Sequence, residues 1–465
     1  MMPRWFFSTV LLLFVLAVGP TPVLSGQAVD PDAMGNDAIS RLQEYLRVNT
    51  VNPPGNESRG ADFFARIFDA EGIPYHREES APGRSNIWAR LDGGDEPALV
   101  LLHHMDVVPA DESHWVVDPL GGVIRDGYLY GRGALDTKSG GILHLEAFLA
   151  LHRAGRPLNR DVIFMATADE EAGGLYGAGW MVEHHPELFQ DVGFLLNEGG
   201  DGTVSHGRVE FGIEVTQKVP LWLRLVATGE PGHGSTPHTM SAVTRLLQAL
   251  DNLRHHPFQP RIVPAVGAYF KGLASTADPA WRDAFADMAT AVKDPAFLER
   301  LQLANPYFHA LTRNTCSITR LEGSSKINVV PPEAAAELDC RLLPDQDREA
   351  FLDELTTVLD DPGITIHQIM GFTPAVSRTD TDLYRAIVAV VRRHYPDASI
   401  LPTVASGFTD SHFFRDLGIT SYGFFPLVTP LEDGSGVHGN NERIPLDAMR
   451  TGTRVMLEIV QQFVY

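Results

Sequence analysis

The sequence predicts an α/β protein: a mixed, mainly parallel sheet flanked by helices, with a smaller α+β domain inserted into it. Two observations support this fold class. Three apolar runs, separated by helical segments, are typical of buried parallel strands, at residues 99–103, 162–166 and 194–196. Residues 215–370 then change character, because a strand, a helix, two strands, a helix and a strand follow one another, as in an α+β sandwich.

The remaining elements complete the main domain on both sides of this insertion. Apolar spacing predicts helices over residues 37–48 and about 61–71, with a break at Gly72, and short strands over 75–77 and 86–90. After the insertion we expect a helix over 380–394, a strand over 419–425 and a final helix over about 446–463. The predicted domains are therefore 26–214 with 371–465, and 215–370.

Composition sets limits on the class of protein. With 44% hydrophobic and 21% charged residues in a chain of 465, the protein is an ordinary globular one with room for two domains. The formal net charge of −22 argues against a nucleic-acid partner, because phosphate binding needs a basic surface. A small-molecule or short-peptide substrate remains compatible with this charge.

The first 25 residues are typical of a signal peptide. Arg4 precedes an apolar stretch over residues 5–18, and residues 23–25 offer a cleavage site before Gly26. We expect an exported protein, periplasmic or secreted, with no stable membrane span after cleavage. The alternative is an uncleaved anchor, for which the apolar stretch is short.

Two cysteines, Cys316 and Cys340, are present. Export permits a disulfide between them, but two buried free thiols fit the sequence as well. Their number is too small for a zinc site built from cysteine, so any metal ion must be held by His, Asp and Glu.

Each apolar run ends in acidic or imidazole side chains: His104 and Asp106, then Glu170 and Glu171, then Glu198. Ligands of open α/β sheets bind beyond the carboxyl ends of the strands, so these side chains predict one site. Residues two apart in a strand point to the same side, so Asp106 can orient His104 as carboxylates orient metal-bound imidazoles. The alternative is a strand-end histidine that only makes hydrogen bonds.

Two further acidic positions have both a structural and a functional interpretation. Asp136 lies just before a helix, where it is either an N-cap or a carboxylate that bridges two metal ions. In the triplet Asp169-Glu170-Glu171, three carboxylates repel one another unless cations compensate them. One of them can bind metal while its neighbour acts as a general base, or the triplet is a solvated loop.

The ordered motifs carry a resemblance to a known family. They are His104-x-Asp106-Val-Val-Pro, Gly-Arg-Gly-x-x-Asp136, Asp-Glu170-Glu171-x-Gly, Asn-Glu198-Gly and a late His438. As a set they resemble the co-catalytic zinc peptidases, which include aminoacylase-1, carboxypeptidase G, succinyl-diaminopimelate desuccinylase and yeast carboxypeptidase S. The chain is most similar to the branch of carboxypeptidase S and N-acyl amino acid hydrolases.

This resemblance implies two Zn²⁺ ions per chain, for which Co²⁺ or Mn²⁺ are possible substitutes. His104 and Glu198 would bind one ion, Glu171 and His438 would bind the other, and Asp136 would bridge them. Nitrogen and oxygen ligands of this kind suit two zinc ions.

The resemblance also assigns roles to residues that bind no metal. Glu170 would activate the metal-bound water and Asp106 would orient His104. The inserted domain would be a lid that forms a homodimer, and His233 would stabilise the transition state across the dimer interface. Asn328 and Arg341 would bind the substrate's carboxylate. As alternatives, His233 is a surface residue and Arg341 forms an ordinary ion pair.

These expectations define the predicted function and its competitors. We expect a hydrolase that cleaves the amide bond of N-acyl amino acids, or of small peptides with a free C-terminal carboxylate. The alternatives are an aminopeptidase or dipeptidase, a non-catalytic binding protein on the same fold, and an enzyme that runs the reaction towards condensation. Aromatic residues at 260–315 would line a lipophilic pocket or form core.

Overall fold

A computed structural model describes residues 30–205, 207–434 and 436–465. The predicted signal peptide, residues 1–25, lies outside these residues. Within them, no helix combines the length and the apolar character that crossing a membrane requires.

The strands form the frame of the molecule. In chain order they are β1 (Tyr75–Ala81), β2 (Arg84–Leu91), β3 (Glu96–His104), β4 (Val123–Arg125), β5 (Tyr128–Tyr130), β6 (Arg160–Thr167), β7 (Val192–Asn197), β8 (Gly202–Ser205), β9 (Arg208–Gln217), β10 (Val219–Thr228), β11 (Gly232–His233), β12 (Thr315–Glu322), β13 (Val329–Val330), β14 (Glu333–Leu342), β15 (Ile364–Gly371), β16 (Ser399–Ala405), β17 (Thr420–Gly423), β18 (Val428–Pro430) and β19 (Arg443–Pro445).

The helices cover both faces of this frame. In chain order they are α1 (Pro31–Leu46), α2 (Ser58–Glu71), α3 (Lys138–Ala154), α4 (Ala178–His184), α5 (Ala242–His255), α6 (Pro264–Leu273), α7 (Pro279–Ala286), α8 (Met288–Ala291), α9 (Pro295–Ala304), α10 (Pro306–Ala310), α11 (Arg348–Leu359), α12 (Asp382–His394), α13 (Ser411–Asp416), α14 (Leu431–Gly434) and α15 (Leu446–Val464). The predicted break at Gly72 is a left-handed C-cap with φ 68°.

The predicted α/β fold class is confirmed. In the described part of the chain, ten strands form one mixed sheet in the order β1-β2-β6-β3-β7-β17-β9-β8-β18, with β16 paired to β9. The three apolar runs are the neighbouring strands β6, β3 and β7, which pair in parallel. They are almost entirely buried, because helices cover the sheet, and this burial explains their continuous apolar sequence.

The segment after β9 contains a second sheet of different character. Four antiparallel strands lie in the order β12-β14-β10-β15, with α5 and α11 packed on one face in a separate apolar core. Cys316 and Cys340 stand opposite each other in β12 and β14 and form a disulfide. Of the two possibilities that the sequence left open, the structure therefore contains the bonded one.

Helices α6–α10 form a third apolar core, which no sequence pattern predicted. Phe270, Phe285 and Phe297 are buried there, together with Leu401 and Val404 from β16 of the main sheet. This helical layer, in residues 264–310, therefore packs on the main sheet at β16. Of its seven aromatic residues, three are buried in this core, whereas Tyr269 and Phe308 are partly buried and line a cavity, so the layer contains features of both interpretations that the sequence allowed.

Candidate metal centre

The side chains at the strand ends converge as the parallel sheet requires. His104 ends β3, Glu170 lies three residues beyond β6, and Glu198 lies one residue beyond β7. Atoms of His104, Asp136 and Glu171 that can bind metal lie within 4.8 Å of one another, and so do those of His104, Glu170 and Glu198. One rim of the sheet thus collects an imidazole and four carboxylates.

His104 is fixed in the orientation of a metal ligand. Its Nδ1 lies 3.0 Å from the backbone oxygen of Asp106, which can only accept, so Nδ1 donates the proton. Its Nε2 faces Asp136 Oδ1 at 3.1 Å and Glu198 Oε2 at 3.5 Å. Burial alone would lower the pKa of His104, but the Glu198 carboxylate and its neighbours raise it well above the usual value. The surrounding charge therefore favours a cation at Nε2.

Asp136 lies between the two histidines. Its Oδ1 is 3.1 Å from His104 Nε2, and its Oδ2 is 3.0 Å from His438 Nε2. Burial would raise the pKa of Asp136, but the hydrogen bonds from both imidazoles hold it well below its usual value. Thr137, not Asp136, is the N-cap of α3, so the structure does not use Asp136 as a helix cap.

His438 reaches the same group from a loop near the C-terminus. It has left-handed backbone geometry, with φ 59°, and its side chain is 51% exposed. Its Nε2 is 3.1 Å from Glu171 Oε2. Hydrogen bonds to Asp136 and then Glu171 raise the pKa of His438 to about 10. The second imidazole is therefore also held by carboxylates.

Burial and the crowding of carboxylates raise the pKa values of Glu170 and Glu198. Burial, then the neighbouring Glu198 carboxylate, raises the pKa of Glu170 well above its usual value. Burial raises the pKa of Glu198 to about 7. Buried carboxylates that face one another favour a bound cation, and a base with a raised pKa suits proton transfer near neutral pH.

Asp106 does more than orient His104. Its carboxylate lies 3.4 Å from His104 Nδ1 and accepts the backbone N–H groups of Glu170 at 3.1 Å and Glu171 at 3.2 Å. It also accepts Asn52 Nδ2 at 2.8 Å. Asp106 therefore ties the end of β3 to the turn that carries Glu170 and Glu171.

Asp169, the first residue of the acidic triplet, is structural. It forms an ion pair with Arg84 and accepts the backbone N–H of Tyr176 at 3.0 Å. Arg84 also reaches Glu57 at 3.0 Å. All three charged side chains are buried, so this network holds in place the turn that carries the triplet. The triplet is accordingly not a solvated loop.

Glu442 supports the candidate site, although the sequence analysis gave it no role. It is buried and accepts the backbone N–H groups of Gly133, Leu135 and Asp136 at 3.0, 2.6 and 3.1 Å. Arg132 donates to it at 2.7 Å. Glu442 thus holds the loop that presents Asp136. Its partners lie about 310 positions away in the chain, so no local pattern points to it.

Four of the five predicted metal ligands, together with Glu170, line a pocket of about 320 Å³. The residues that line it are Asp136, Glu170, Glu171, Glu198, Arg341, Gly407, Phe408, Thr409 and His438. Beside it lies Asp410, another buried carboxyl that no sequence motif marked, which accepts Thr167 Oγ1 at 3.1 Å.

Arg341, which lies on β14 of the second sheet, also lines this pocket. Its Nε and Nη2 donate to Asp339 at 2.7 and 3.2 Å, while its buried Nη1 has no hydrogen-bond partner within the described structure. The guanidinium carbon lies 5.8 Å from the centre of the Phe408 ring. A planar cation with a free N–H group in a concave site is suited to bind a carboxylate.

His233 and Asn328 lie elsewhere in the same chain. They are exposed at neighbouring positions of residues 215–370, the predicted second domain, where Gly234 N donates to Asn328 O at 2.9 Å. His233 Nδ1 accepts the backbone N–H of Ser235 at 3.2 Å. Neither residue is part of the pocket wall described above. The structure therefore brings these two together without bringing them to the metal ligands of their own chain.

The donor set fits metal ions. Glu171 Oε1 is buried and has no hydrogen-bond partner among the described residues. The converging atoms are imidazole nitrogens and carboxylate oxygens, which zinc accepts in catalytic sites. The residues present therefore suit a centre of hard and borderline cations.

Comparisons with known proteins identify the class. The profile of peptidase family M20/M25/M40 matches residues 100–462, and the chain belongs to this family. In fold it resembles the M20 metallo-carboxypeptidase Sso-CP2 of Sulfolobus solfataricus, with a TM-score of 0.71 and 20% identity over 92% of this chain and 99% of that one. Human carnosine dipeptidase 1 has a TM-score of 0.65 at 18% identity, over 93% and 97%.

Sequence relatives narrow the kind of enzyme. Mouse N-fatty-acyl-amino acid synthase/hydrolase PM20D1 is 28% identical, over 99% of this chain and 96% of that protein. Rat aminoacylase-1B is also 28% identical, over 91% and 94%. The chain is therefore a hydrolase of a metal-dependent peptidase family, with aminoacylase-type relatives. The predicted family is confirmed.

Proposed function

We propose that this hydrolase holds two zinc ions and cleaves the amide bond of N-acyl amino acids, or of small peptides with a free C-terminal carboxylate. One observation carries the proposal: the unpaired Arg341 Nη1 shares a pocket of about 320 Å³ with Glu170 and the acidic cluster. A substrate carboxylate at Arg341 would leave the scissile amide between the arginine and Glu170. The aminoacylase-type relatives support this substrate class.

Five residues would hold the two ions in this proposal. His104 and Glu198 lie on one side of Asp136, and His438 and Glu171 lie on the other. Asp136 presents one carboxylate oxygen to each side, as a bridging ligand does. Bound zinc would lower the pKa of water and polarise the amide carbonyl.

Glu170 is the proposed general base. It is buried beside the ligands, makes no ion pair among the described residues, and its pKa is raised by burial. It would take a proton from the attacking water and deliver that proton to the leaving nitrogen as the C–N bond breaks. The same groups would serve condensation in the reverse direction, by microscopic reversibility.

Arg341 is the proposed specificity residue for the substrate's carboxylate. Asp339 fixes the guanidinium through two of its nitrogens, which leaves Nη1 free to donate. A preorganised guanidinium loses little side-chain entropy when it binds. An amide or ester at this end of the substrate would lose the charged hydrogen bond.

We also propose that the second domain forms a homodimer and that His233 acts in the partner's site. β12 is an edge strand, with Ile318 39% and Leu321 60% exposed, and Leu247 on α5 is 54% exposed. An exposed edge strand with apolar side chains favours pairing with another copy. His233 is exposed and free to reach a neighbouring chain.

The proposal of export has one support in the described residues. The disulfide between Cys316 and Cys340 is typical of an oxidising compartment such as the periplasm or the extracellular space. Fractionation of the producing cells, with N-terminal sequencing of the mature protein, would test both export and cleavage after residue 25.

Matched substrates test the function. The zinc-loaded enzyme is offered N-acetyl- and N-oleoyl-phenylalanine, the amide of each, and phenylalanyl-phenylalanine with a free or an acetylated amine. We expect hydrolysis of the N-acylated acids and at least tenfold slower hydrolysis of their C-terminal amides. Preference for the free amine over the acetylated one would instead support the aminopeptidase alternative, and no hydrolysis of any substrate would support a binding protein.

A further inference from the structure

A second, larger cavity lies away from the metal centre. It has a volume of about 670 Å³, against about 320 Å³ for the metal pocket. It is formed where the helical layer α6–α10 meets β8, β9 and β16 of the main sheet. Its size is that of pockets that bind small molecules.

Aromatic rings make its apolar wall. Tyr269, Phe285 and Phe308 all line the cavity, with ring centres 6.1 Å apart for Tyr269 and Phe308 and 5.7 Å apart for Phe285 and Phe308. Leu273 adds an aliphatic surface. Such a wall suits a flat or branched apolar group.

Glu210 supplies the acidic group of the cavity. Among the described residues its side chain has no hydrogen bond and no ion pair, and burial raises its pKa. Burial, and then the charges of its neighbours, including that of Glu210, raise the pKa of the Tyr269 hydroxyl. A half-buried carboxylate without a cationic partner is stabilised by a ligand that brings an ammonium group.

Positive charge is present in the same wall. Arg208 and Arg282 both line the cavity and are exposed. Arg282 donates only a weak hydrogen bond, to Ala277 O at 3.3 Å. Asp278 also lines it and is exposed. The cavity therefore offers both signs of charge beside an aromatic surface.

The cavity and the metal pocket lie at opposite ends of one strand. Ser399, the first residue of β16, lines the cavity, and Gly407, two residues beyond Ala405 at its end, lines the metal pocket. The strand spans roughly 20 Å at the usual rise per residue. A ligand in the cavity would therefore not touch the metal ligands.

We propose that this cavity is a second binding site, which takes a hydrophobic amino acid in its zwitterionic form. The ammonium group pairs with Glu210, the carboxylate pairs with Arg208 or Arg282, and the side chain lies against Tyr269, Phe285 and Phe308. The site does not depend on the proposed reaction at the metal centre.

Trp281 provides a local reporter for the test. Its ring stacks beside Phe285, with ring centres 6.0 Å apart. L-phenylalanine is titrated into the full-length protein while tryptophan emission is recorded, with Trp281→Phe measured in parallel. We expect a saturable emission change that Trp281→Phe removes. Binding at the metal pocket alone would leave the change in that variant, and this result would overturn the proposal.

Variants and ligand analogues resolve the chemistry. Glu210→Gln should weaken L-phenylalanine binding at least tenfold, while Glu299→Gln, on the exposed surface of α9, should not change it. 3-Phenylpropionate, which lacks the ammonium group, should bind wild type and Glu210→Gln equally weakly. Equal affinity of both variants for L-phenylalanine, with circular dichroism showing both folded, would overturn the assignment, as would undetectable binding to wild type.

Discussion

The rim of the main sheet, which carries the proposed metal ligands, and the loops around His233 and Asn328 differ in how their side chains are held. At the rim, His104 is 1% exposed and Asp106 accepts from three donors that fix the turn beside it. In residues 215–370, the predicted second domain, His233 lies on a short two-stranded ladder, Asn328 directly precedes the other strand of that ladder, and both are exposed. The buried strand ends thus converge within one chain, whereas His233 and Asn328 would reach such a site only in a second chain, as proposed above.

Among the residues that support the site without acting on the substrate, the largest effect on activity is expected at Asp106. In Asp106→Asn the amide nitrogen replaces an acceptor of the Glu170 and Glu171 backbone N–H groups, so the turn loses its tie to β3. We expect a loss of roughly 10–100-fold in kcat/KM and in metal affinity, the range seen for such supporting residues. Asp161→Asn, which alters an Arg90 ion pair at the far end of β6, is the matched control and should keep both. Equal behaviour of the two variants would contradict this role.

A smaller and different effect is expected at Arg341. Arg341→Lys keeps the charge but cannot both hold Asp339 and donate from the position of Nη1. We predict that KM rises about tenfold for N-acyl amino acids with little change in kcat, in line with the loss of one charged hydrogen bond. Arg224→Lys, in the same sheet and paired to Glu337, serves as control. A fall in kcat at unchanged KM would point to a catalytic role instead.

Removal of the disulfide should leave activity unchanged and lower stability. The bond closes a loop with a sequence separation of 24 in the second domain, and its loss should reduce the free energy of unfolding by ~3 kcal/mol. Urea unfolding of the variant with Cys316→Ser and Cys340→Ser, with kcat/KM measured at low denaturant, checks both parts. A large fall in kcat/KM would contradict this expectation and would show that the sheet around the disulfide is tightly coupled to the rim of the main sheet.

For a histidine in the core of the main domain we expect no effect on activity, only a pH dependence of stability. Burial lowers the pKa of His144 to about 3, against 6.5 when unfolded. Below pH 6.5 the unfolded chain takes up a proton that the folded one does not, so stability falls as pH decreases towards 3. The unfolding free energy of His144→Gln should therefore change less steeply with pH between 6.5 and 3 than that of the wild type. The difference in slope should correspond to the uptake of up to one proton on unfolding. Parallel curves would contradict the buried neutral state.

What could be predicted from the sequence follows from the same comparison. The buried runs β3, β6 and β7 indicated their own parallel pairing, and the acids beyond them were locally visible. Glu442 was not, because its partners at residues 132–136 are distant in the chain. Neither was β16, which pairs with β9, a strand far away in the chain, and packs against the helical layer. Local patterns thus indicated the candidate metal ligands, whereas the residues that hold them in place depend on contacts between distant parts of the chain.

The central claim is that two metal ions and the base Glu170 act together at the rim. The most direct test measures two quantities, the metal content per chain and the hydrolytic activity, for both the wild type and Glu170→Gln. We expect about two zinc ions per chain in both proteins, with kcat lowered roughly 10²–10⁴-fold only in the variant. Activity that survives the substitution, or a wild-type enzyme that is active without metal, would contradict the account.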